Sequence, residues 1–500
     1  MKDWRKADYV IPGERKTGLL LGDDFRMPSG VGTMCKEIVM KTLHKYNWIQ
    51  VGGAIKHPEA GKILDMSKEL ERITGVPNYT KIYPYNGYGD PDLIRYLIQT
   101  EKPDFILHFT DPRFYIWLYQ MEHELRQVIP ILYYTIWDDL PFPRYNEDYY
   151  ESCDALFAIS KQTYNIVKQV RHRKPVEDWQ LKYIPHGIDE NIFRPIVKGQ
   201  KMVKIKDVEI DEYDAMLEFK KDLFNGKDYK YIVLYNNRNI RRKNPGDVIL
   251  AFKKFYDELP EEKKNETCLL MHTAVVDQNG TDLGKVKMDL APEVPIFFTQ
   301  QKFEPHILNF MYNISSVTIN LASNEGFGLA TCESLMAGTP IIATVTGGLQ
   351  DQMGFKNESG KYLDPDVDFN ENWASNHDGK FKNHGEWCIP VFPSNRSLAG
   401  SPPTPYIFDD RPDFADAADA IRKFYDMGES ERNRVGELGR QFVTDPKIGM
   451  TSQQMGLSFI KNIDEVLNKW EPRERFTLIN ANGTNKPVYK PTGVTYQERG

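Results

Sequence analysis

The feature that most constrains the fold is an alternation of short apolar runs with helical patterns, which occurs in two separate series. The predicted strands of the first series are Thr17–Phe25, Trp48–Ile55, Phe105–Phe109, Ile129–Ile136 and Ala155–Ile159. Those of the second series are Tyr229–Tyr235, Cys268–Ala274, Pro295–Phe298, Val317–Leu321 and Pro340–Ala343. Short apolar strands between helices are typical of parallel sheets that are buried on both faces. The chain is therefore predicted to be an α/β protein with two doubly wound domains.

The length and composition suit a folded chain with more than one core. The chain has 500 residues, of which 40% are hydrophobic and 27% are charged. We predict an N-terminal domain, a charged linker, a C-terminal domain with an insertion of unknown function, and a last helix with a polar tail. The N-terminal domain is predicted at 1–195 and the linker at 196–227. The C-terminal domain is predicted at 228–445, with its insertion at about 352–412. The last helix, near Gln453–Trp470, and the tail make up 446–500.

Charge and cysteine content bear on partners and compartment. A net charge of −7 does not support a nucleic-acid partner, but it does not exclude a local basic patch. The five cysteines are scattered without a CxxC pair, which indicates free thiols in a reducing compartment. No signal peptide and no run of about 18 apolar residues is visible. The protein is predicted to be cytoplasmic, and peripheral contact with a membrane stays open.

The segment Ser323–Glu333, which reads SNEGFGLATCE, carries the clearest chemical signal. Glu325 and Glu333 flank Gly326 and Gly328, and a helix of small residues is predicted to follow. Glycines before a helix let a ligand approach the backbone, and the helix start offers unpaired N–H groups to an anion. The two carboxylates can each accept hydrogen bonds from sugar hydroxyls. The segment therefore predicts a site for a molecule that is half phosphate and half sugar.

A second segment supplies cations. Arg238 and Lys243 follow the first strand of the second series, in the run YNNRNIRRKN. Arginine can bind a phosphate through two N–H groups, and lysine adds a point charge. Fixed cations would stabilise the charge that develops on a departing diphosphate.

Together these segments resemble the donor site of retaining glycosyltransferases with the GT-B fold, especially glycosyltransferase family 4. That family typically shows a Glu-Gly-Phe-Gly-Leu loop, a second Glu eight positions after the first, and then Gly-Thr-Pro. It also places an Arg and, five residues later, a Lys after the first strand of the donor domain. The resemblance implies two Rossmann-like domains that face a cleft, with the last helix crossing back to the N-terminal domain.

The resemblance further implies a reaction and its donor site. A sugar would pass from a nucleotide-sugar, most typically a UDP- or GDP-sugar, to an acceptor. The acceptor could be a glycan, a lipid-linked molecule or another compound, and the anomeric configuration of the sugar would be retained. Arg238 and Lys243 would stabilise the leaving diphosphate without a metal ion or other cofactor. Glu333 would bind the ribose, and Glu325 would face the transferred sugar. The other residues expected to border the donor are Asn324, Gly326, Phe327, Gly328 and Leu329.

The acceptor side carries weaker signals. Gly30 and Gly32 follow the first predicted strand, in a position that resembles the family's glycine-rich loop under the cleft. His108 lies in a predicted strand near a slot where the family often has a histidine. Asp138 lies where the family has a His-Asp pair, but Trp137 stands in the histidine slot. His108 and Asp138 are therefore the candidates for contact near the reacting carbon.

Other functions remain open on the sequence alone. A phosphorylase or glycan synthase of the same fold is one, although no carrier lysine for pyridoxal phosphate can be located. A non-catalytic sugar-nucleotide-binding or scaffold protein is another, which Trp137 in the histidine slot would favour. The third is a DNA-modifying glycosyltransferase of the same fold, which the net charge does not support.

Overall fold

The structure is a computed structural model that describes residues 5–54, 56–171, 173, 176–205 and 208–474. The chain divides into two compact units. Of the described residues, those within 1–137, 142–187 and 452–474 form the first unit, and those within 138–141 and 188–451 form the second. The predicted polar tail lies outside the described residues from position 475 onward.

A largely parallel sheet forms the centre of the first unit. The strand order is β3-β4-β2-β1-β5-β6-β7-β8, and β3 pairs antiparallel with β4. Strands β5, β6 and β7 are buried along their whole length, as their apolar sequences predict. The strands are β1 Lys16–Asp23, β2 Tyr46–Gly53, β3 Leu64–Asp65, β4 Thr80–Pro84, β5 Phe105–Phe109, β6 Ile131–Thr135, β7 Ala155–Ala158 and β8 Leu181–Tyr183.

Several helices of the first unit begin at side-chain caps. Ser29 Oγ accepts a hydrogen bond from Gly32 N at the start of α1, and Ser160 Oγ accepts one from Thr163 N at the start of α7. Such caps satisfy N–H groups that the first helical turn leaves unpaired. The helices are α1 Gly30–Thr42, α2 Ser67–Thr74, α3 Pro91–Thr100, α4 Ile116–Gln120, α5 Glu122–Leu125, α6 Glu147–Glu151 and α7 Lys161–Val170.

A fully parallel sheet forms the centre of the second unit, in the order β13-β12-β11-β14-β15-β16. Two antiparallel hairpins, β9–β10 and β17–β18, accompany it. The strands are β9 Met202–Ile205, β10 Val208–Asp211, β11 Tyr231–Asn236, β12 Thr267–His272, β13 Ile296–Thr299, β14 Val317–Asn320, β15 Ile341–Thr344, β16 Cys388–Val391, β17 Pro393–Ser401 and β18 Thr404–Pro412.

Helices cover the sheet of the second unit and close its core. Val233 of β11, Leu269 of β12 and Ile319 of β14 pack in one buried cluster with Phe252 and Ile421. The helices are α8 Glu212–Leu223, α9 Pro245–Asp257, α10 Glu261–Lys264, α11 Leu283–Leu290, α12 Pro305–Ile314, α13 Leu329–Met336, α14 Leu349–Gln352 and α15 Phe414–Thr444, with a break in α15 at Gly428.

The last helix, α16 Ser452–Lys469, returns to the first unit, as predicted. Tyr46 Oη donates a 2.7 Å hydrogen bond to Asp464 Oδ1, and Phe459 packs edge-on against Tyr134. The α/β class with a doubly wound parallel sheet in each series is therefore confirmed.

The segment that was interpreted as an insertion contributes more than a surface loop. Strand β16 lies within it and forms one edge of the parallel sheet. Phe369 and Trp373 stack with ring centroids 3.9 Å apart, and Trp387 Nε1 donates to the Gln352 carbonyl. Its remaining regular element is the hairpin β17–β18.

Across the described part of the chain, no helix combines the length and the apolar composition that crossing a bilayer requires.

Candidate functional site

Two loops meet at the carboxyl edge of the second sheet. The basic loop, residues 237–244, follows β11, and the acidic loop, residues 323–328, lies between β14 and α13. Asn244 Nδ2 donates a 2.8 Å hydrogen bond to the carbonyl of Leu321, which ties the basic loop to the segment that leads into the acidic loop. Neighbouring parallel strands end at the same edge, so their following loops are brought side by side. This edge is where the parallel-sheet topology favours ligand binding.

Glycines allow the acidic loop to pack closely. Gly328 has φ +89°, which suits glycine, and it directly precedes α13. A Cβ on Gly347 would lie 1.9 Å from the carbonyl oxygen of Glu325. Gly348 N donates a 2.9 Å hydrogen bond to the same carbonyl. The paired glycines after β15 therefore fix the backbone that carries Glu325.

Lys243 and Glu325 form a buried ion pair between the two loops. Burial opposes ionisation of Glu325, but Lys243 and Arg242 outweigh it and hold the pKa of this carboxyl below its usual value. Burial lowers the pKa of Lys243 to about 8, although Glu325 acts in the opposite direction. Both groups are therefore charged at neutral pH.

Arg242 adds a second cation to this pair. Its Nη1 donates to the carbonyl of Asn324, and its own carbonyl accepts a 2.8 Å hydrogen bond from Ser323 N. Burial disfavours the charge on Arg242, but Glu325, Asp138 and Asp139 outweigh it and raise the pKa. Arg242 is thus a permanently charged contact between the loops.

Glu333 lies one turn into α13 in a different environment. Its Oε2 accepts a 2.7 Å hydrogen bond from Tyr312 Oη, which in turn accepts one from Asn236 Nδ2. Burial raises the pKa of Glu333 to about 7, and the bond from Tyr312 opposes this only in part. Near neutral pH, Glu333 can therefore exist with or without its proton.

Arg238 is the most exposed arginine of the basic loop. Its side chain is 73% exposed, and its Nη2 lies 4.0 Å from Asp277 Oδ2. An arginine with such a loose partner can reorient toward a phosphate at little cost.

Asn324 connects the acidic loop to two other segments. Its Nδ2 donates to Asp139 Oδ1 at 2.6 Å and to the Phe408 carbonyl at 2.9 Å. Burial raises the pKa values of Asp138 and Asp139, and Arg242 counteracts this in both. Asp138 therefore lies within the electrostatic reach of the basic loop.

His108 does not fit its predicted contact with a substrate. It lies in β5 with no exposed surface, its ring stacks on Tyr133 at 4.3 Å, and its Nε2 lies 3.5 Å from Cys153 Sγ. Burial lowers its pKa to about 3, so the ring is neutral. The predicted contact of His108 with a substrate is therefore wrong, because its side chain at this point of β5 packs inside the hydrophobic core of the first unit.

The predicted residues are therefore divided between the two units. The second unit brings together those of the basic and acidic loops and of α13: Arg238, Lys243, Asn324, Glu325, Gly326, Phe327, Gly328, Leu329 and Glu333, with Asp138 nearby. His108 belongs to the first unit, as do Gly30 and Gly32 in the first turn of α1.

Sequence reasoning missed Tyr312 and the contact of Asn236 with it. Tyr312 lies in α12 in an apolar stretch, FMYNI, that resembles an ordinary core helix. A buried tyrosine usually has a hydrogen-bond partner for its hydroxyl. That general rule is the signal from which a polar partner of Tyr312 could have been expected.

Possible metal ligands were also sought. Within the ranges that the structure describes, no group of three or more His, Cys, Asp or Glu side chains is placed to hold a metal ion.

A family comparison agrees with this geometry. Residues 218–366 match the family described as glycosyl transferases group 1, which confirms the resemblance to group 1 glycosyltransferases and the predicted glycosyltransferase class. The matched residues include both loops and α13. No curated protein sequence matches the chain.

Solved structures share the fold. Sucrose-phosphate synthase from Thermosynechococcus elongatus has a TM-score of 0.62 and 14% identity, with 91% of this chain and all of that chain covered. Anabaena Alr3699/HepE in complex with UDP and glucose has a TM-score of 0.60 and 11% identity, with 90% and 100% covered. An E. coli trehalose-6-phosphate protein bound with UDP-2-fluoro glucose has a TM-score of 0.56 and 10% identity, with 92% and 100% covered. The fold is GT-B, with two Rossmann-like domains.

Proposed function

Because residues 218–366 carry a group 1 glycosyltransferase domain, we propose that this protein transfers a sugar from a UDP-sugar to an acceptor, with retention and without a metal ion. The observation that carries the proposal is the buried Lys243–Glu325 pair, which lies beside Arg242 at the start of α13. Charge that is fixed before the reaction stabilises a developing diphosphate without the cost of reorganising solvent.

The diphosphate, the ribose and the sugar of the proposed donor each meet a matching group. Arg238 reaches the diphosphate from the exposed end of the basic loop, and the N-terminus of α13 offers its backbone N–H groups. Glu333 accepts hydrogen bonds from the ribose hydroxyls, with Tyr312 holding the carboxylate in place. Glu325 faces the transferred sugar on one side and keeps Lys243 charged on the other.

Uridine is the proposed base because two structures of similar fold are named as complexes with UDP or a UDP-sugar analogue. In the proposed reaction, no enzyme nucleophile attacks the sugar. The leaving diphosphate remains near the anomeric carbon and guides the acceptor hydroxyl to the face that it has left, so that the configuration is retained. Asp138 is proposed to contribute polar contacts near the reacting carbon.

A panel of nucleotide-sugars tests the donor. Purified protein is incubated with each UDP- and GDP-sugar, and the released nucleotide is measured by mass spectrometry, with heat-denatured protein as the control. We expect release from one UDP-sugar at least about tenfold above the control. Binding of UDP without release from any sugar would favour a non-catalytic sugar-nucleotide-binding protein.

Chelation tests the role of metal. We expect turnover to survive EDTA, because side chains supply the positive charge. Loss of turnover on chelation, with recovery on adding Mg²⁺ or Mn²⁺, would contradict this part of the proposal. The anomeric configuration of the product, read by NMR, tests retention.

A further inference from the structure

The hairpin β17–β18 belongs to the segment for which no function was predicted, yet β18 contacts both loops of the site. Asp409 Oδ2 lies 2.5 Å from Arg241 Nη1 of the basic loop. The neighbouring Phe408 carbonyl accepts a hydrogen bond from Asn324 of the acidic loop. Arg411 Nη2 donates to Asn244 Oδ1 at 3.2 Å. Residues within one short stretch of β18 thus contact both loops.

The stretch around Asp409 is held on both sides. Phe408 N donates to the Leu140 carbonyl. Asp410 is fully buried and accepts hydrogen bonds from Ser375 Oγ and from Arg396 Nε. The side chain of Asp409 itself is only 10% exposed. Burial and the contacts of its two neighbours therefore restrict the movement of the Asp409 side chain.

We propose that Asp409 is a positioning residue that orients Arg241 toward the diphosphate of the donor, so that β18 is part of the donor site. This inference rests on the proposed function. Arg241 is 63% exposed, and an arginine so exposed ordinarily loses much rotamer freedom when it binds a ligand. The contact with Asp409 restricts Arg241 beforehand, which reduces that cost.

The exposure of Arg241 makes the contact easy to test. An ion pair with one exposed partner contributes little to the stability of the fold, so its removal leaves the protein folded. The test variant is Asp409→Asn, which keeps the shape and removes the charge. The control is Asp419→Asn, which makes the same change of charge at an exposed position of α15.

The readouts are the Kd for UDP by calorimetry, and KM and kcat with the UDP-sugar that the wild-type protein uses. We expect Asp409→Asn to raise Kd and KM by about three- to tenfold, with kcat changed by less than about twofold. The control should match the wild-type protein. An unchanged or lower Kd in Asp409→Asn would overturn the inference, because Asp409 would then be neutral or a competitor of the phosphate.

A double-mutant cycle shows whether Asp409 acts through Arg241. Arg241→Ala should raise Kd by a similar factor, and adding Asp409→Asn should have no further effect. Independent, multiplying effects would overturn the positioning role. Arg241→Ala also keeps the test decisive if Asp409→Asn proves unstable, because an unchanged Kd in Arg241→Ala would itself overturn the inference.

The wild-type protein separates the two levels of the proposal. If it neither binds UDP nor releases UDP from a UDP-sugar, the proposed function fails, and the role of Asp409 fails with it. If it binds UDP and Asp409→Asn binds equally well, only the role of Asp409 is overturned.

Discussion

Glu325 and Glu333 lie eight positions apart, yet the acidic loop and α13 give them opposite environments. Glu325 pairs with a buried lysine, and its pKa is lowered. Glu333 meets the hydroxyl of Tyr312, and burial raises its pKa to about 7. One motif with two glutamates therefore contains one permanent charge, Glu325, and one titratable hydrogen-bond acceptor, Glu333. Their different properties come from partners that lie far away in sequence.

The largest expected effect comes from removing the cation that fixes Glu325. Lys243→Met leaves a buried carboxylate without its main partner, which should lower the free energy of unfolding by about 3–5 kcal/mol. Transfer activity should be lost as well. Urea denaturation and turnover measure the two effects.

The double variant Lys243→Met/Glu325→Gln is the matched control for charge. It should regain most of the lost stability and remain inactive, because the buried carboxylate is no longer left without its main partner but the cation of Lys243 is still missing. If Lys243→Met is as stable as the double variant, then the buried charge of Glu325 does not need Lys243 as its partner.

Arg238→Ala should separate catalysis from stability. The side chain is largely exposed, so the midpoint of unfolding should stay that of the wild-type protein. Loss of a charge-assisted contact to the diphosphate should cost about 2–4 kcal/mol in the transition state, or roughly two to three decades in kcat/KM. Lys285→Ala, at another exposed cation, is the control. Wild-type turnover in Arg238→Ala would contradict the assignment.

The two glutamates should differ in their effect on nucleotide binding. Glu333→Gln should weaken the affinity for UDP by about tenfold, since an acceptor for the ribose hydroxyls is lost. Glu325→Gln should leave the affinity for UDP nearly unchanged and reduce turnover, because its proposed partner exists only on the intact donor. Calorimetry with UDP measures the first effect, and turnover the second. Equal losses of affinity would show that the two carboxylates share one role.

The smallest expected effect is a dependence of stability on pH. The raised pKa of Glu333 means that the folded protein holds a proton that the unfolded chain releases above its ordinary pKa near 4.5. The contribution of Glu333 to the free energy of unfolding therefore falls as pH rises through about 7.

Glu333→Gln removes this titration. The difference in Tm, variant minus wild type, should therefore increase between pH 5 and pH 8. The increase should be about 2–4 °C for each kcal/mol that the wild-type protein loses in its free energy of unfolding. Asp419→Asn, which removes a carboxylate at an exposed position of α15, should not show this increase over the same range. A difference in Tm that does not depend on pH would show that Glu333 has an ordinary pKa.

The local pattern of the chain was enough to predict the α/β class and most central strands. Phe105–Phe109 was predicted with its observed bounds. This prediction depends on neighbours in sequence, because an apolar run between polar segments must be buried. Strand β16 was missed because it lies among Asn, Pro and Gly residues that suggest irregular structure.

The two series of strands, the basic and acidic loops and the family that they resemble could be predicted from the sequence alone. Which residues of the candidate site are paired, buried or exposed became visible in the tertiary structure. Lys243 meets Glu325, Tyr312 meets Glu333 and Asp409 meets Arg241 through contacts 82, 21 and 168 positions apart. His108 is enclosed in the first sheet for the same reason. Charge state and accessibility arise from packing between distant segments, and periodicity and local motifs do not contain that information.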